Sequence, residues 1–334
     1  MRSFAYARPL TVMAAVQALA DASPHARIIA GGTTLYDLMK LNIEAPQALV
    51  DVSRLGELTT FDTSGTRELV FGAMARMSDI AADRTLQTDY PALAESLWLA
   101  ASPQVRNMAT VGGNLLQRTR CAYFRGGAPY PCNKRQPGSG CAAIGGLDRS
   151  HAILGTSTSC VAVYPGDWAV ALAAFDAQLD TVSPRGERTI PIDELHREPG
   201  ETPHLETILK PDELIVRIRV PVTVAGRAST YHKIRDRASY AFALASAAVA
   251  LRVDGDTVRE ARIALGGVAT RPWRARDAER ALMGGALTEG SARAAGELAF
   301  TAARTGQYNR FKVELGARTI AEALMIAKGR AKTS

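Results

Sequence analysis

Several patterns that would assign this chain of 334 residues to a broad class are missing. Its longest apolar stretch, residues 240–251, is far shorter than the ~20 residues of a membrane-spanning helix. Aromatic residues make up only 6% of the chain, and no block of five basic residues accompanies the net charge of +7. Because single-strand binding needs stacking aromatics beside a basic groove, a nucleic-acid partner is not indicated. We therefore expect neither a membrane span nor nucleic-acid binding, and a basic surface equally suits an acidic protein subunit.

Familiar catalytic motifs are missing too. The five histidines form no HExxH pair, no GxSxG nucleophile turn occurs, and no GxGxxG marks a Rossmann site. The first ten residues, MRSFAYARPL, lack the apolar core of a secretory signal, so we expect no export by that route. No catalytic residue is predicted from the sequence.

Cysteine is scarce, and all four cysteines lie in one segment, 118–160. Cys121, Cys132, Cys141 and Cys160 stand among glycines, prolines and arginines, without an apolar period. They could be buried small side chains, two disulfides, a zinc site, although close CxxC pairs are absent, or the ligands of an iron–sulfur cube. Spacing alone leaves these alternatives open.

Two glycine clusters precede the cysteine segment. The first, Gly31-Gly32-Thr33-Thr34, joins a predicted strand at 27–30 to a predicted helix at 35–40. Glycines let the backbone approach a phosphate, and N–H groups at a helix start favour anions. A tight strand-to-helix connection would use the same residues. The second cluster, residues 104–114, places polar residues around paired glycines and suits another contact with the same ligand.

Two single polar residues are also candidates. Asp167 lies between a predicted strand at 161–164 and a predicted helix at 168–177. It is either a helix-start residue that suits the macrodipole or a partner for ribityl or ribose hydroxyls. Lys233, in the segment YHKIRDR, is one of seven lysines, and such a residue is ordinarily solvent-exposed.

The remaining pattern alternates strands with helices. Further strands are predicted at 48–52, 68–71, 178–182, 188–190 and 213–220, with helices at 11–22, 77–82 and 92–101. Residues 221–228 have few large apolar side chains and form the predicted domain boundary. Beyond it we predict a strand at 229–237, a hairpin of 240–253 with 257–265, and helices at 275–283, 291–303 and 311–327.

Four segments together carry a resemblance to a known family. They are IIAGGTTLYDLMK, QVRNMATVGGNLLQRTRC, PGDWAVALAAFDA and YHKIRDRASYAFALASAAVAL. The chain resembles, over essentially its whole length, the FAD-binding subunit of molybdenum hydroxylases, the xanthine and carbon monoxide dehydrogenase family. The insert RCAYFRGGAPYPCNKRQPGSGCAA is most similar to the medium subunit of bacterial periplasmic aldehyde oxidoreductase, which carries a 4Fe-4S cluster. Most family members lack such an insert, and the beta subunit of 4-hydroxybenzoyl-CoA reductase is the other kind that has one.

The resemblance implies an α+β fold in two parts. Residues 1–222 would form a two-lobed FAD-binding domain of the vanillyl-alcohol-oxidase (PCMH) type, with the iron–sulfur insert at 118–160. Residues 228–331 would form a C-terminal domain like that of the carbon monoxide dehydrogenase flavoprotein, with a three-stranded antiparallel sheet and helices.

The resemblance also implies the ligand of each candidate residue. Thr110, Gly113 and Asn114 would make the second flavin contact, Asp167 would bind ribityl or ribose hydroxyls, and Lys233 would lie near the isoalloxazine ring. Tyr123 and Phe124 are expected to shield the cluster. The FAD pyrophosphate would be held by Arg27, Ile28, Ile29, Ala30, Gly31, Gly32, Thr33, Thr34 and Leu35. The metal ligands would be Cys121, Cys132, Cys141 and Cys160.

The implied function is electron transfer within a heterotrimer. A large molybdopterin subunit would oxidise an aldehyde to a carboxylic acid, and a small subunit with 2Fe-2S clusters would pass the electrons to FAD in this chain. The flavin would then reduce an external electron acceptor. Alternatives are the beta subunit of an enzyme like 4-hydroxybenzoyl-CoA reductase, and a non-catalytic assembly subunit that binds structural zinc.

Location follows only indirectly. With no export signal expected of its own, the chain would reach the periplasm folded, carried by a partner with a twin-arginine signal. Without such a partner it would stay in the cytoplasm.

Overall fold

The computed structural model describes residues 1–332 of the chain. The strands are β1 (Ala5–Ala7), β2 (Ala26–Ile29), β3 (Ala48–Asp51), β4 (Phe61–Asp62), β5 (Glu68–Gly72), β6 (Gln178–Ser183), β7 (Gly186–Pro191), β8 (Leu214–Pro221), β9 (Ser229–Ile234), β10 (Ala245–Asp254), β11 (Thr257–Gly266) and β12 (Trp273–Arg274). The helices are α1 (Val12–Asp21), α2 (Leu35–Lys40), α3 (Met77–Ala81), α4 (Arg84–Asp89), α5 (Pro91–Trp98), α6 (Pro103–Arg106), α7 (Val111–Leu115), α8 (Ala122–Arg125), α9 (Trp168–Ala174), α10 (Ile192–Leu195), α11 (Arg276–Leu282), α12 (Glu289–Leu298) and α13 (Phe311–Ala331).

A parallel sheet of order β1-β3-β2 forms the first lobe. The Thr11 side chain begins α1 by accepting a hydrogen bond from the Ala14 N–H at 3.2 Å. The buried face of α1 is formed by Ala15, Val16 and Leu19, which pack with residues of β3. After β2, the first glycine cluster leads directly into α2, so this cluster lies at the carboxyl edge of the parallel sheet.

An antiparallel sheet of order β4-β5-β8-β6-β7 forms the second lobe. Its core includes residues of α3, α5 and α9. Every residue of α9, with the sequence WAVALAA, is fully buried. A helix that is apolar all round belongs inside the protein, and α9 packs against α5, β10 and β11.

The C-terminal part is an antiparallel sheet of order β12-β11-β10-β9, which packs against α11 and α13, and α12 packs against both of these helices. Gly255, at a φ of 58°, allows the tight turn between β10 and β11. The α+β class is confirmed. The sheet has four strands instead of the predicted three, because β12 adds a two-residue edge at Leu265 and Ala264 that is too short to give a periodic signal.

Some predicted elements differ from those observed. Residues 161–164, all of them described, form no strand and are held by single hydrogen bonds, such as Tyr164 N–H to the Ala269 carbonyl at 3.1 Å. Residues 240–244 precede β10 instead of belonging to it. The second glycine cluster, to which no secondary structure was assigned from the sequence, contains the short helices α6 and α7. Of the helices within residues 1–332, none is long and apolar enough to cross a membrane.

Candidate functional site

A cavity of about 520 Å³ lies where the two lobes meet the cysteine segment. This volume is within the range of small-molecule and cofactor sites. The whole run from Arg27 to Leu35 lines it, and so do Thr110, Gly113, Asn114 and Asp167. The structure therefore brings together residues that the sequence separates by up to 140 positions.

The two glycine clusters touch each other at this cavity. A Cβ atom on Gly31 would overlap the Met108 carbonyl oxygen, so only glycine fits between the two backbones. Gly32 adopts a φ of 72°, which side chains rarely tolerate. The cavity wall at this point is therefore bare backbone, as close approach to a phosphate group requires.

The second cluster contributes through the start of α7. The Thr110 hydroxyl accepts a hydrogen bond from the Gly113 N–H at 3.4 Å and so caps the N-terminus of the helix. The Oδ1 atom of Asn114 is buried and has no hydrogen-bond partner within residues 1–332. Because a buried polar atom without a partner costs free energy, this acceptor suits a donor on a bound ligand.

Asp167 and Lys233 form a buried ion pair. The Lys233 ammonium group lies 2.8 Å from the Asp167 carboxylate and also donates to the Leu99 carbonyl at 3.0 Å. The Tyr231 hydroxyl donates to the other Asp167 oxygen at 2.6 Å. Burial raises the pKa of Asp167, whereas Lys233 and Tyr231 oppose that rise. Asp167 lines the cavity, and Lys233 stands behind it with its side chain 1% exposed. The contact of Lys233 with an isoalloxazine ring stays a prediction.

Charged residues that sequence reasoning did not single out also line the cavity. Arg118 pairs with Glu206 through two hydrogen bonds of 3.2 Å and also binds Glu44. Glu206 also forms an ion pair of 3.0 Å with Lys134, a residue of the cysteine segment. Lys134 and Arg118 lower the pKa of Glu206 against the opposing effect of its burial. This group links the cavity wall to the cysteine segment.

Arg120 faces the cavity beside Phe242. Its guanidinium group lies 4.9 Å from the Phe242 ring centre, and its Nε is buried without a hydrogen-bond partner among the described residues. Burial, followed by the charge of Arg125, lowers the pKa of Arg120 to about 10. A desolvated cation with a free donor is suited to an anionic ligand. The repeated arginines just before Cys121 were the only signal of this in the sequence.

The four cysteines are all unpaired and line one small cavity of about 10 Å³, next to Phe124. Cys132 and Cys141 stand opposite each other in an antiparallel bridge. Burial raises the pKa of the Cys121 thiol to about 11 and also raises that of Cys160. In the part of the chain that the structure describes, no group of three His, Cys, Asp or Glu side chains is close enough to hold a single metal ion.

His151, unnoticed in the sequence, also lies at this cysteine group. Its Nε2 atom is 3.2 Å from the Cys121 sulfur, and its ring lies 6.1 Å from that of Tyr123. Its pKa is lowered, first by burial and then by the charge of Lys312. Phe124 is fully buried with Leu38 of α2. The Tyr123 hydroxyl accepts the Leu147 N–H at 2.7 Å, and among residues 1–332 it makes no hydrogen bond to a cysteine.

Comparison with known proteins identifies the family. Residues 2–223 match the FAD binding domain in molybdopterin dehydrogenase, and residues 229–326 match the CO dehydrogenase flavoprotein C-terminal domain. The chain belongs to the FAD-binding subunits of the molybdenum hydroxylase family. It is thus a subunit of an oxidoreductase, as the resemblance implied.

The relatives of this FAD-binding subunit cover nearly its full length. It is 45% identical to the aldehyde oxidoreductase FAD-binding subunit PaoB of Escherichia coli, over 99% of this chain and 100% of that protein. It is 30% identical to the carbon monoxide dehydrogenase medium chain of Hydrogenophaga pseudoflava, over 89% of this chain and 85% of the other. The solved carbon monoxide dehydrogenase of that organism matches with a TM-score of 0.77 at 29% identity, covering 98% of both chains. Quinoline 2-oxidoreductase of Pseudomonas putida matches with a TM-score of 0.76 at 25% identity, covering 99% of both.

The large cavity fits the FAD of this family. It offers a bare glycine wall for the pyrophosphate, a free acceptor at Asn114 and a free donor at Arg120. Asp167 adds a carboxylate to a wall that combines glycine backbone, apolar side chains and charged residues. These are the kinds of group that orient a dinucleotide within an apolar cleft.

Proposed function

We propose that this chain is the FAD- and 4Fe-4S-containing electron-transfer subunit of a heterotrimeric molybdenum aldehyde oxidoreductase. The observation that carries the proposal is the pair of neighbouring cavities, one suited to FAD and one lined by four free cysteines. The 45% identity to an aldehyde oxidoreductase FAD-binding subunit supports the substrate class.

In the flavin cavity, each group has a separate task. Residues 27–35 hold the pyrophosphate, and Thr110, Gly113 and Asn114 make the second contact. Asp167 accepts hydrogen bonds from ribityl or ribose hydroxyls, while Lys233 and Tyr231 fix its carboxylate in place. When bound, FAD converts single-electron arrivals into two-electron transfer to an external acceptor.

In the cysteine cavity, Cys121, Cys132, Cys141 and Cys160 each ligate one iron of the cluster. Four thiolates are the usual ligand set of a 4Fe-4S cube, and the presence of all four free cysteines in the lining of one cavity supports this assignment. Phe124 shields the cavity from the side of α2, where it is packed against Leu38.

The partners and the layout follow from the same proposal. A large molybdopterin subunit and a small 2Fe-2S subunit supply the electrons, so the isolated chain should not oxidise aldehydes. The FAD-binding domain occupies residues 1–222 with the insert at 118–160, and the C-terminal domain occupies residues 228–331. The complex resides in the periplasm if a partner carries a twin-arginine signal, and in the cytoplasm otherwise.

The deciding experiment is the content of iron, acid-labile sulfide and FAD per chain in the complex purified without oxygen. We expect about four irons, four sulfides and one flavin, with reduction of both cofactors by an added aldehyde. Flavin without iron would remove the cluster from the proposal, and zinc without flavin would leave only the structural assembly role. Reduction by a low-potential donor with turnover of a CoA thioester, but no response to aldehydes, would favour the reductase alternative.

A further inference from the structure

His151 is the one side chain that approaches a cysteine sulfur closely from outside the cysteine group in the described hydrogen-bond network. Its Nε2 lies 3.2 Å from the Cys121 sulfur, and the residue is 2% exposed. Cys160 receives a different neighbour, the backbone N–H of Ala162 at 3.5 Å. The imidazole is therefore a contact that a side-chain substitution can remove.

The backbone on the N-terminal side of His151 is held by two sets of hydrogen bonds. The backbone N–H of His151 donates to the Asp148 carbonyl at 2.8 Å. The Asp148 carboxylate in turn accepts the N–H groups of Gln307 and Tyr308 at 3.0 and 2.7 Å, in the loop before α13. The C-terminal part of the chain thus fixes the segment that carries the imidazole.

The direction of the hydrogen bond follows from the surroundings of the ring. Within residues 1–332, the buried Nδ1 of His151 meets no hydrogen-bond partner, so a proton there would be unsatisfied. A thiolate that ligates iron has no proton and can only accept. Both arguments place the proton on Nε2, pointing at sulfur.

We propose that His151 donates an Nε2–H hydrogen bond to the Cys121 sulfur and thereby raises the reduction potential of the cluster. This inference rests on the proposed cluster function. A donor to a ligating sulfur stabilises the reduced cluster, which carries more negative charge, and such hydrogen bonds are among the factors that set cluster potentials. His151 is a positioning and tuning residue and does not ligate iron.

The test is a potentiometric titration of the intact complex, followed by EPR of the reduced cluster. We expect His151→Leu to shift the cluster midpoint to a more negative potential, while His151→Gln, which keeps an N–H donor, shifts it less. His196→Phe is the matched control, because His196 is also buried but donates to the Leu115 carbonyl at 2.9 Å, which also accepts from Tyr164. An unchanged midpoint in His151→Leu, with the cluster present, overturns the inference.

A second measurement needs no variant. In the wild-type complex labelled with ¹⁵N-histidine, pulsed EPR should detect a weak nitrogen coupling and a nearby proton that exchanges in D₂O. A strong nitrogen coupling would mean that histidine ligates iron, and no coupling would mean that the contact is absent; either result overturns the inference. If the wild-type complex contains no iron or sulfide, the proposed cluster function fails and this inference fails with it. A cluster with no histidine coupling removes the inference alone.

Discussion

Lys233→Met should destabilise the protein strongly, because it leaves a carboxylate buried without its cation. The side chains of Lys233 and Asp167 are only 1% and 6% exposed, and their charged atoms lie 2.8 Å apart. Removing one partner of a buried ion pair costs about 3–5 kcal/mol. The pair also joins β9 of the C-terminal sheet to the start of α9, so the loss weakens the contact between the two parts of the chain.

The expected shift in melting temperature follows from the chain length. Unfolding entropy is about 2.1 cal/mol/K per residue, or about 0.7 kcal/mol/K for 334 residues. A loss of 3–5 kcal/mol then lowers the melting temperature by about 4–7 °C if the chain unfolds as one unit. The measurement is calorimetric unfolding of the FAD-loaded protein at pH 7, with the same excess of free FAD for every variant.

The double variant Lys233→Met with Asp167→Asn supplies the control. Since it removes the uncompensated charge as well, it should be more stable than Lys233→Met alone. The pH dependence has a definite sign. A carboxyl group whose pKa is higher in the folded than in the unfolded state binds more protons when folded. The free energy of unfolding therefore falls as pH rises above 3.8, the ordinary pKa of Asp167. The loss of stability in Lys233→Met, relative to the wild type, should therefore shrink towards acid pH. Additive effects of the two substitutions, with no change in the deficit between pH 5 and 8, would refute the reasoning.

Three further predictions concern the cavity and the cysteine segment. Gly31→Ala should weaken FAD binding by about 1–3 kcal/mol, because the added Cβ displaces the Met108 backbone. FAD titration measures this effect. Gly56→Ala is the control, since an added Cβ meets nothing at that position. The pKa of Glu206 is lower in the folded state, so this carboxylate stabilises the protein above pH 4.5, its ordinary pKa, and that stabilisation is lost as pH falls below 4.5. Glu206→Gln should therefore reduce the fall in the free energy of unfolding at acid pH. Cys132→Ser should lose iron and sulfide while keeping FAD if the cluster is a relay; a low yield of folded protein would instead indicate a structural role.

Elements with clear periodic or glycine signals could be predicted from the sequence. The helix α2 begins and ends at the predicted residues, 35 and 40, because a glycine turn and an apolar period mark it together. The helix α7 was missed because Gly112 and Gly113 lower helix propensity. Its Gly112 packs directly on Ala73, a contact between distant residues that the local sequence does not show. The strand expected at 161–164 has apolar residues but no neighbouring strand to pair with within the described chain.

The candidate site divides in the same way. The two glycine clusters that line the cavity could be found from the sequence, because each pair of glycines and its neighbours form one continuous stretch. The ion pair of Arg118 with Glu206 was not, since its members are 88 residues apart and each resembles an ordinary surface charge. Lys233 was expected near the flavin only through the family resemblance, and nothing in its local sequence indicated that it is buried against Asp167.

The cysteine segment shows how a loop without an apolar period can still be ordered. The Arg135 guanidinium donates to the carbonyls of Tyr123 and Phe124 at 2.7 and 2.8 Å, and also to that of Tyr130. One side chain thus links two other parts of the loop to its own position. Phe124 then packs against Leu38 of α2, the helix that follows the first glycine cluster. Order in the loop thus depends on polar side-chain contacts to the backbone and on one apolar anchor. Because Phe124 packs on α2, the helix that follows the first glycine cluster, disruption of the cysteine segment should also disturb the flavin cavity.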